Sequence, residues 1–218
     1  PIFITIVTLY YLCFRSDTMR LTHERGSFVP RRHTLTAATR LGYPMAIERI
    51  VTCGAQIMST HIVAPLGTAA IAANTLGITV ESICYMPGFG ISDAATTLVG
   101  QSKGANRIDL VRRFGNICLL LGVGVMTVMG ALMFMESYDL MALLTPVEEV
   151  RQLGSTALRI EAFAEPLYAA QIVCYGIFIG AGDTMVPAGM NLVSIWAIRI
   201  VLALILTPQL GLNGAWLA

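Results

Sequence analysis

Long apolar runs separated by short polar breaks set the pattern of this chain. Five of them, residues 41–63, 69–98, 114–135, 157–179 and 190–206, match the roughly 17–25 residues that a helix needs to cross a bilayer, the second with length to spare. None alternates with the period of two that a membrane barrel strand shows. Unpaired backbone is so costly in hydrocarbon that a helix is the remaining form. The pattern therefore predicts an all-α fold, a polytopic transmembrane helix bundle. Two shorter apolar stretches flank it: residues 2–14, which read as the end of another membrane helix, and the start of a further one near Asn213. The expected organisation is a helix end over 1–14, a basic cytoplasmic loop over 15–40 and a helical bundle over 41–218, cut at both ends.

Orientation follows from the placement of Lys and Arg, which stay cytoplasmic in short loops. Arg15, Arg20, Arg25, Arg31, Arg32 and Arg40 crowd the first connector, and Lys103, Arg107, Arg112 and Arg113 lie in the connector 102–113. Residues 64–68 between them carry no charge, and the connector 136–150 holds Glu136, Asp139, Glu148 and Glu149 without any Lys or Arg. These last two belong outside. Counting spans then places the turn 180–184 inside. Composition agrees, with 56% hydrophobic and 12% charged residues against the ~25% charged of an ordinary soluble domain. The net charge of +1, with cations gathered at the chain breaks, argues against a nucleic-acid partner and leaves membrane lipid as the first one.

Enzyme signatures are missing. His23-Glu24 lacks the second histidine of HExxH, and no phosphate loop or GxSxG occurs. The five cysteines sit in apolar runs without metal-ligand spacing, so no cofactor and no certain metal site is expected.

Chemistry is carried instead by charges at bilayer depth, each costing at least ~2.5–3.5 kcal/mol on insertion scales. Glu48, beside Arg49 near the cytoplasmic end of its span, could pair with it or snorkel. Glu81, deep in the second span with no basic neighbour in its own helix, shares a face with Tyr85 and Gly88 and is a candidate cavity residue. Asp93 lies nearer the cytoplasm and could tie down the adjoining turn. Glu161, Glu165, Tyr168 and Tyr175 form a polar stripe in the fourth span, where Pro166 frees the carbonyl of Ala162. Pairing with Arg159 would account for Glu161 by itself. Pro87, Gly88 and Gly90 predict a kink in the second span, and Gly176 and Gly180 have the small-xxx-small spacing of close helix contacts.

Several strings resemble one transporter family. They are Gly42-Tyr-Pro44, Leu66-Gly-Thr-Ala-Ala-Ile-Ala-Ala73, Tyr85-Met-Pro-Gly-Phe-Gly90, Thr96-Thr-Leu-Val-Gly-Gln-Ser-Lys-Gly-Ala105, Gly180-Ala-Gly-Asp-Thr184, Pro187 and Trp196-Ala-Ile-Arg199. In order and separation they are similar to the second half of the multidrug and toxic compound extrusion (MATE) family. The resemblance implies the second six-helix lobe of a twelve-helix transporter, with the five spans as helices seven to eleven. It also implies exchange of sodium ions or protons for organic, often cationic, drugs across the plasma membrane, in bacteria the inner one. Motif positions so implied are Gly100, Gln101, Gly104, Gly182, Asp183 and Arg199; the cavity-lining candidates are Gln56, Tyr85, Tyr168, Gln171 and Tyr175. The carboxylates of sodium-coupled relatives fall on Thr52 and Tyr168 here, so Glu81, Glu165, Glu48 and Asp93 are the candidates for binding the coupling ion or a small organic cation. The remaining partner implied is the N-terminal half. The competing classes are a flippase for lipid-linked oligosaccharide, which should hold more cations inside the bundle, and a non-transporting receptor or scaffold.

Overall fold

The computed structural model describes residues 2–15 and 32–218, whose ordered elements are all helical. The arginines at 20, 25 and 31 and the His23-Glu24 pair lie outside the described residues. Two compact units are present, residues 1–38 and 39–218. The first contains α1 (Ile2–Arg15) and the opening turns of α2 (Arg32–Val63), and the side chains of Phe3, Ile4, Tyr10 and Tyr11 in it are exposed.

The second unit continues α2 and adds α3 (Thr68–Cys84), α4 (Met86–Gly104), α5 (Ile108–Met135), α6 (Ser137–Leu144), α7 (Glu148–Gly180), α8 (Met185–Val193), α9 (Ile200–Leu210) and α10 (Leu212–Leu217). Helix formation in the connector was not foreseen. From Arg32 onward residues expected as loop are helical, because 32–41 contain no Gly or Pro and several good helix formers. The predicted kink is a break: Tyr85 separates α3 from α4 at an angle of 44°, and Pro87 opens the new helix, where its missing N–H costs nothing. By length and composition, α5, α7 and the continuous Met185–Leu210 stretch can cross a membrane, and the α3–α4 pair, bent by 44°, adds a fourth where it crosses as one broken span. The expected span 41–63 is not among them. Its helix is 32 residues long, but Glu48, Arg49, Gln56 and His61 interrupt the apolar character.

Helix α7 is the hub, packed on α3, α4, α5, α6 and α10. Small residues permit the close approaches. A Cβ on Gly180 would stand 2.4 Å from the Thr96 carbonyl oxygen, and one on Gly176 would stand 2.3 Å from Ser92 Oγ. Hydroxyls complete this α4–α7 seam: Ser92 donates to the Ile172 carbonyl at 2.8 Å and Thr96 to that of Gly176 at 2.8 Å. The predicted Gly176–Gly180 contact is thus present, with Ser92 and Thr96 as its partners. Next to this seam, Gly115, Gly122 and Gly130 of α5 meet Ile177, Val173 and Glu165 of α7 in turn. α2 approaches mainly through side chains, with Trp196 Nε1 donating to the Val51 carbonyl at 3.4 Å and further bonds from Glu48 described below.

Candidate functional site

Two polar constellations lie among these apolar helices. The first is built on α7, whose 3.6-residue period puts Glu161, Glu165 and Tyr168 on one face. Glu161 and Glu165 are 7% and 2% exposed, so the stripe read from the sequence points inward. Glu165 packs its stem on Gly130 of α5, where a Cβ would meet it at 3.0 Å. Both its carboxylate oxygens are buried without a hydrogen-bond partner among the described residues. Buried polar groups are otherwise almost always paired, which sets this carboxyl apart from the other polar groups of the bundle. Tyr168 stacks on Tyr85 at the α3–α4 break, with ring centroids 6.5 Å apart and planes 13° from parallel. One turn before Tyr85, half-buried Glu81 interacts electrostatically with Glu161 and Glu165. Arg199 completes the group: it forms no salt bridge among the described residues but lies within electrostatic range of Glu81, Glu161 and Tyr168. It ends a six-residue π-helical turn, Ser194–Arg199, inserted between α8 and α9; such turns interrupt regular helices and recur at functional sites.

The second constellation joins α2 to α7 and α8. Glu48 accepts hydrogen bonds from the Tyr175 hydroxyl and, at 2.6 Å, from Asn191 Nδ2, and Gln171 Nε2 donates to Asn191 Oδ1 at 3.0 Å. Both Glu48 oxygens are therefore engaged by donors from other helices, and Arg49 forms no salt bridge with it among the described residues.

Several sequence expectations change accordingly. Glu81 has no basic neighbour in its own helix, as expected, and tertiary structure brings Arg199, 118 positions away, within electrostatic range of it. Arg159 does not neutralise Glu161: its Nε donates to Ser137 Oγ at 3.0 Å and its guanidinium lies 5.8 Å from the centre of the Phe134 ring. Gly88 does not share the Glu81 face, because the break at Tyr85 turns it toward Met126 of α5, whose Sδ a Cβ would meet at 3.1 Å. Asp93 and Gln56 are exposed and belong to neither constellation. The motif residues form the end of the α4–α7 seam. Gly100 approaches the Gly180 carbonyl, exposed Gln101 and Gly104 close α4, Gly182 adopts φ +78°, and Asp183 Oδ1 accepts from the Val186 N–H at 3.3 Å to start α8. Lys103 caps the same turn by donating to the Ala181 carbonyl. Asn191 escaped the sequence reading; its only signal is a polar residue in an apolar run one helix beyond Gln171. Among the described residues no cluster of His, Cys, Asp and Glu has the arrangement of a metal site.

Apolar helices broken at glycine and proline, packed around inward-facing acids and tyrosines, are the architecture of a polytopic membrane-helix bundle. The particular family is shown by its model. The chain belongs to the MatE family, which matches residues 44–205. It is 30% identical over 96% of its length to a probable multidrug resistance protein NorM of Thermotoga maritima, of which it covers 45%. Among solved structures, a MATE protein in the straight conformation superposes with TM-score 0.86 at 17% identity, over 97% of this chain and 49% of that one. The Vibrio cholerae MATE transporter VcmN in its bent form gives 0.81 at 18% identity, over 99% of this chain and 48% of that one. The chain thus spans about half the length of the curated relatives it matches.

Proposed function

We propose that the whole protein to which this chain belongs is a secondary antiporter of the plasma membrane that exports organic cations, drugs among them, in exchange for sodium ions or protons. The observation that carries this reading is the buried, unpartnered Glu165 beside Glu161 and Glu81. Three carboxyl groups lie together there, and Arg199 interacts with Glu81 and Glu161 but not with Glu165, so the site has a surplus of negative charge for a cation to neutralise. The stacked Tyr85–Tyr168 pair adds ring faces of the kind that attract organic cations. A flippase holding a diphosphate would need the opposite balance, with arginines outnumbering the acids of the site. The multidrug-resistance naming of the Thermotoga relative points the same way.

The reading is tested in cells stripped of their own drug pumps and expressing the complete protein. Ethidium efflux should appear on energisation and respond to an imposed sodium or proton gradient; energised cells that retain ethidium like the empty-vector control refute it. The gradient that drives efflux identifies the coupling ion.

A further inference from the structure

Resting on the cation-exporter reading, we propose that Tyr85 and Tyr168 form a clamp that selects flat aromatic cations: the planar part of the substrate enters between the two rings, and its charge lies beside Glu165. The spacing of the rings leads to this. Their centroids are 6.5 Å apart with planes 13° from parallel, at the wide end of the ~4.5–7 Å over which aromatic pairs interact. Carbon atoms in contact stand about 3.5–4.0 Å apart, so near-parallel rings at this separation either overlap little or leave room between their faces. In both arrangements most of each ring face is unused by the other. A flat molecule held on both faces needs two such contacts, about 7 Å in all, which is close to the centroid separation already present. The two tyrosines are half-buried and keep accessible surface, so a ligand can reach the rings.

The elements that carry the rings suit this task. Tyr85 is the single residue between α3 and α4, where the chain bends by 44°, so one wall of the clamp stands on a break and the other on the continuous hub helix α7. The Tyr85 ring is steered by Phe89, one turn further on, through an edge-to-face contact with centroids 5.5 Å apart and planes at 83°. Phe89 is therefore a positioning residue. Tyr168 follows Glu165 by three positions on α7, a spacing that sets Cβ atoms about 5–6 Å apart on one helix face, so the carboxyl left without a hydrogen-bond partner among the described residues lies next to the clamp. A delocalised cation there is drawn by both ring faces and by the carboxyl. A flat one gains most, because it alone can lie in full contact with two near-parallel rings. A tetrahedral ion such as tetraphenylphosphonium carries the same single charge and is too thick to enter, so the clamp selects by shape where charge does not discriminate.

Equilibrium binding of ethidium and of radiolabelled tetraphenylphosphonium to the purified complete protein tests the proposal. Tyr85→Leu and Tyr168→Leu should each weaken ethidium binding about tenfold, the scale of one lost stacking contact, and change tetraphenylphosphonium binding less than about twofold. Tyr85→Phe and Tyr168→Phe keep the rings and should bind both ions within about twofold of the parent. Phe89→Leu should weaken ethidium severalfold by releasing the Tyr85 ring. Because a leucine variant could fail to fold, the parent supplies a second measurement: the visible absorption of bound ethidium should shift to the red, as for a stacked dye, and acriflavine should displace it where tetrapropylammonium at the same concentration does not. Equal weakening of both ions, full ethidium affinity in a folded leucine variant, an unshifted ethidium spectrum, or displacement by tetrapropylammonium as effective as that by acriflavine overturns the clamp and leaves the exporter reading standing. A parent that binds neither ion and moves no ethidium overturns both.

Discussion

Glu165 and Glu48 are both acids in helices surrounded by apolar residues, and their surroundings assign them different work. Glu165 has no partner for either oxygen among the described residues, so replacing it with Gln removes a buried carboxyl that none of them hydrogen-bonds. Glu165→Gln should insert into the membrane and fold as well as the parent, yet its ethidium efflux should drop at least about tenfold through loss of the charge that attracts the cation. Efflux at the parental rate would make Glu165 a structural residue. Glu48 is saturated by Tyr175 and Asn191, donors from two other helices. Glu48→Gln puts an amide N–H where one donor now points, and should lower stability by about 1.5–3 kcal/mol, the range for hydrogen bonds to a charged group. Thermal unfolding in detergent measures it, and an unshifted midpoint would mean the α2 connection contributes little. The acids themselves were legible in the sequence because charge is rare in apolar runs. Their partners were not, since Asn191 is 143 positions from Glu48 and Arg199 is 118 from Glu81.

At the scale of elements, stability depends on how closely helices approach. The α4–α7 seam admits no side chain at Gly180, where a Cβ would lie 2.4 Å from a backbone oxygen that cannot move without its helix. Gly180→Ala should therefore cost about 1–3 kcal/mol by overpacking, despite the better helix propensity of alanine. Gly189 in α8 is the control, because a Cβ there has nothing within 4 Å and Gly189→Ala should fall within about 0.5 kcal/mol of the parent. If the two variants unfold at the same temperature, the seam is looser than its geometry implies. Sequence spacing marked Gly176 and Gly180 as a contact face but not what they contact. The small-xxx-small pattern constrains one helix surface, and its partner, Ser92 and Thr96, emerges only from packing. The α3–α4 break is intermediate. Pro87 and its neighbouring glycines located it, whereas the redirection of Gly88 toward Met126 required the bend itself.

For the molecule as a whole, charge distribution predicts topology. Introduced in a cysteine-free background of the complete protein, Arg107→Cys should be shielded from an impermeant thiol reagent in intact cells, and Thr145→Cys should react, since basic connectors stay cytoplasmic. Reaction of the Arg107 variant from outside would invert the orientation. The sequence by itself determined the all-α membrane class, most helix positions, the break near Pro87 and the family, because hydropathy, glycine and proline placement and local motifs act within a few residues of where they stand. Only the tertiary structure decided that Glu165 is unpartnered while Glu48 is satisfied, that Arg159 turns to Ser137 and leaves Glu161 to Arg199, and that Asp93 and Gln56 stay outside both constellations. Burial and charge pairing are properties of helix faces brought together across the bundle, and the period of a single helix cannot specify which face of another it will meet.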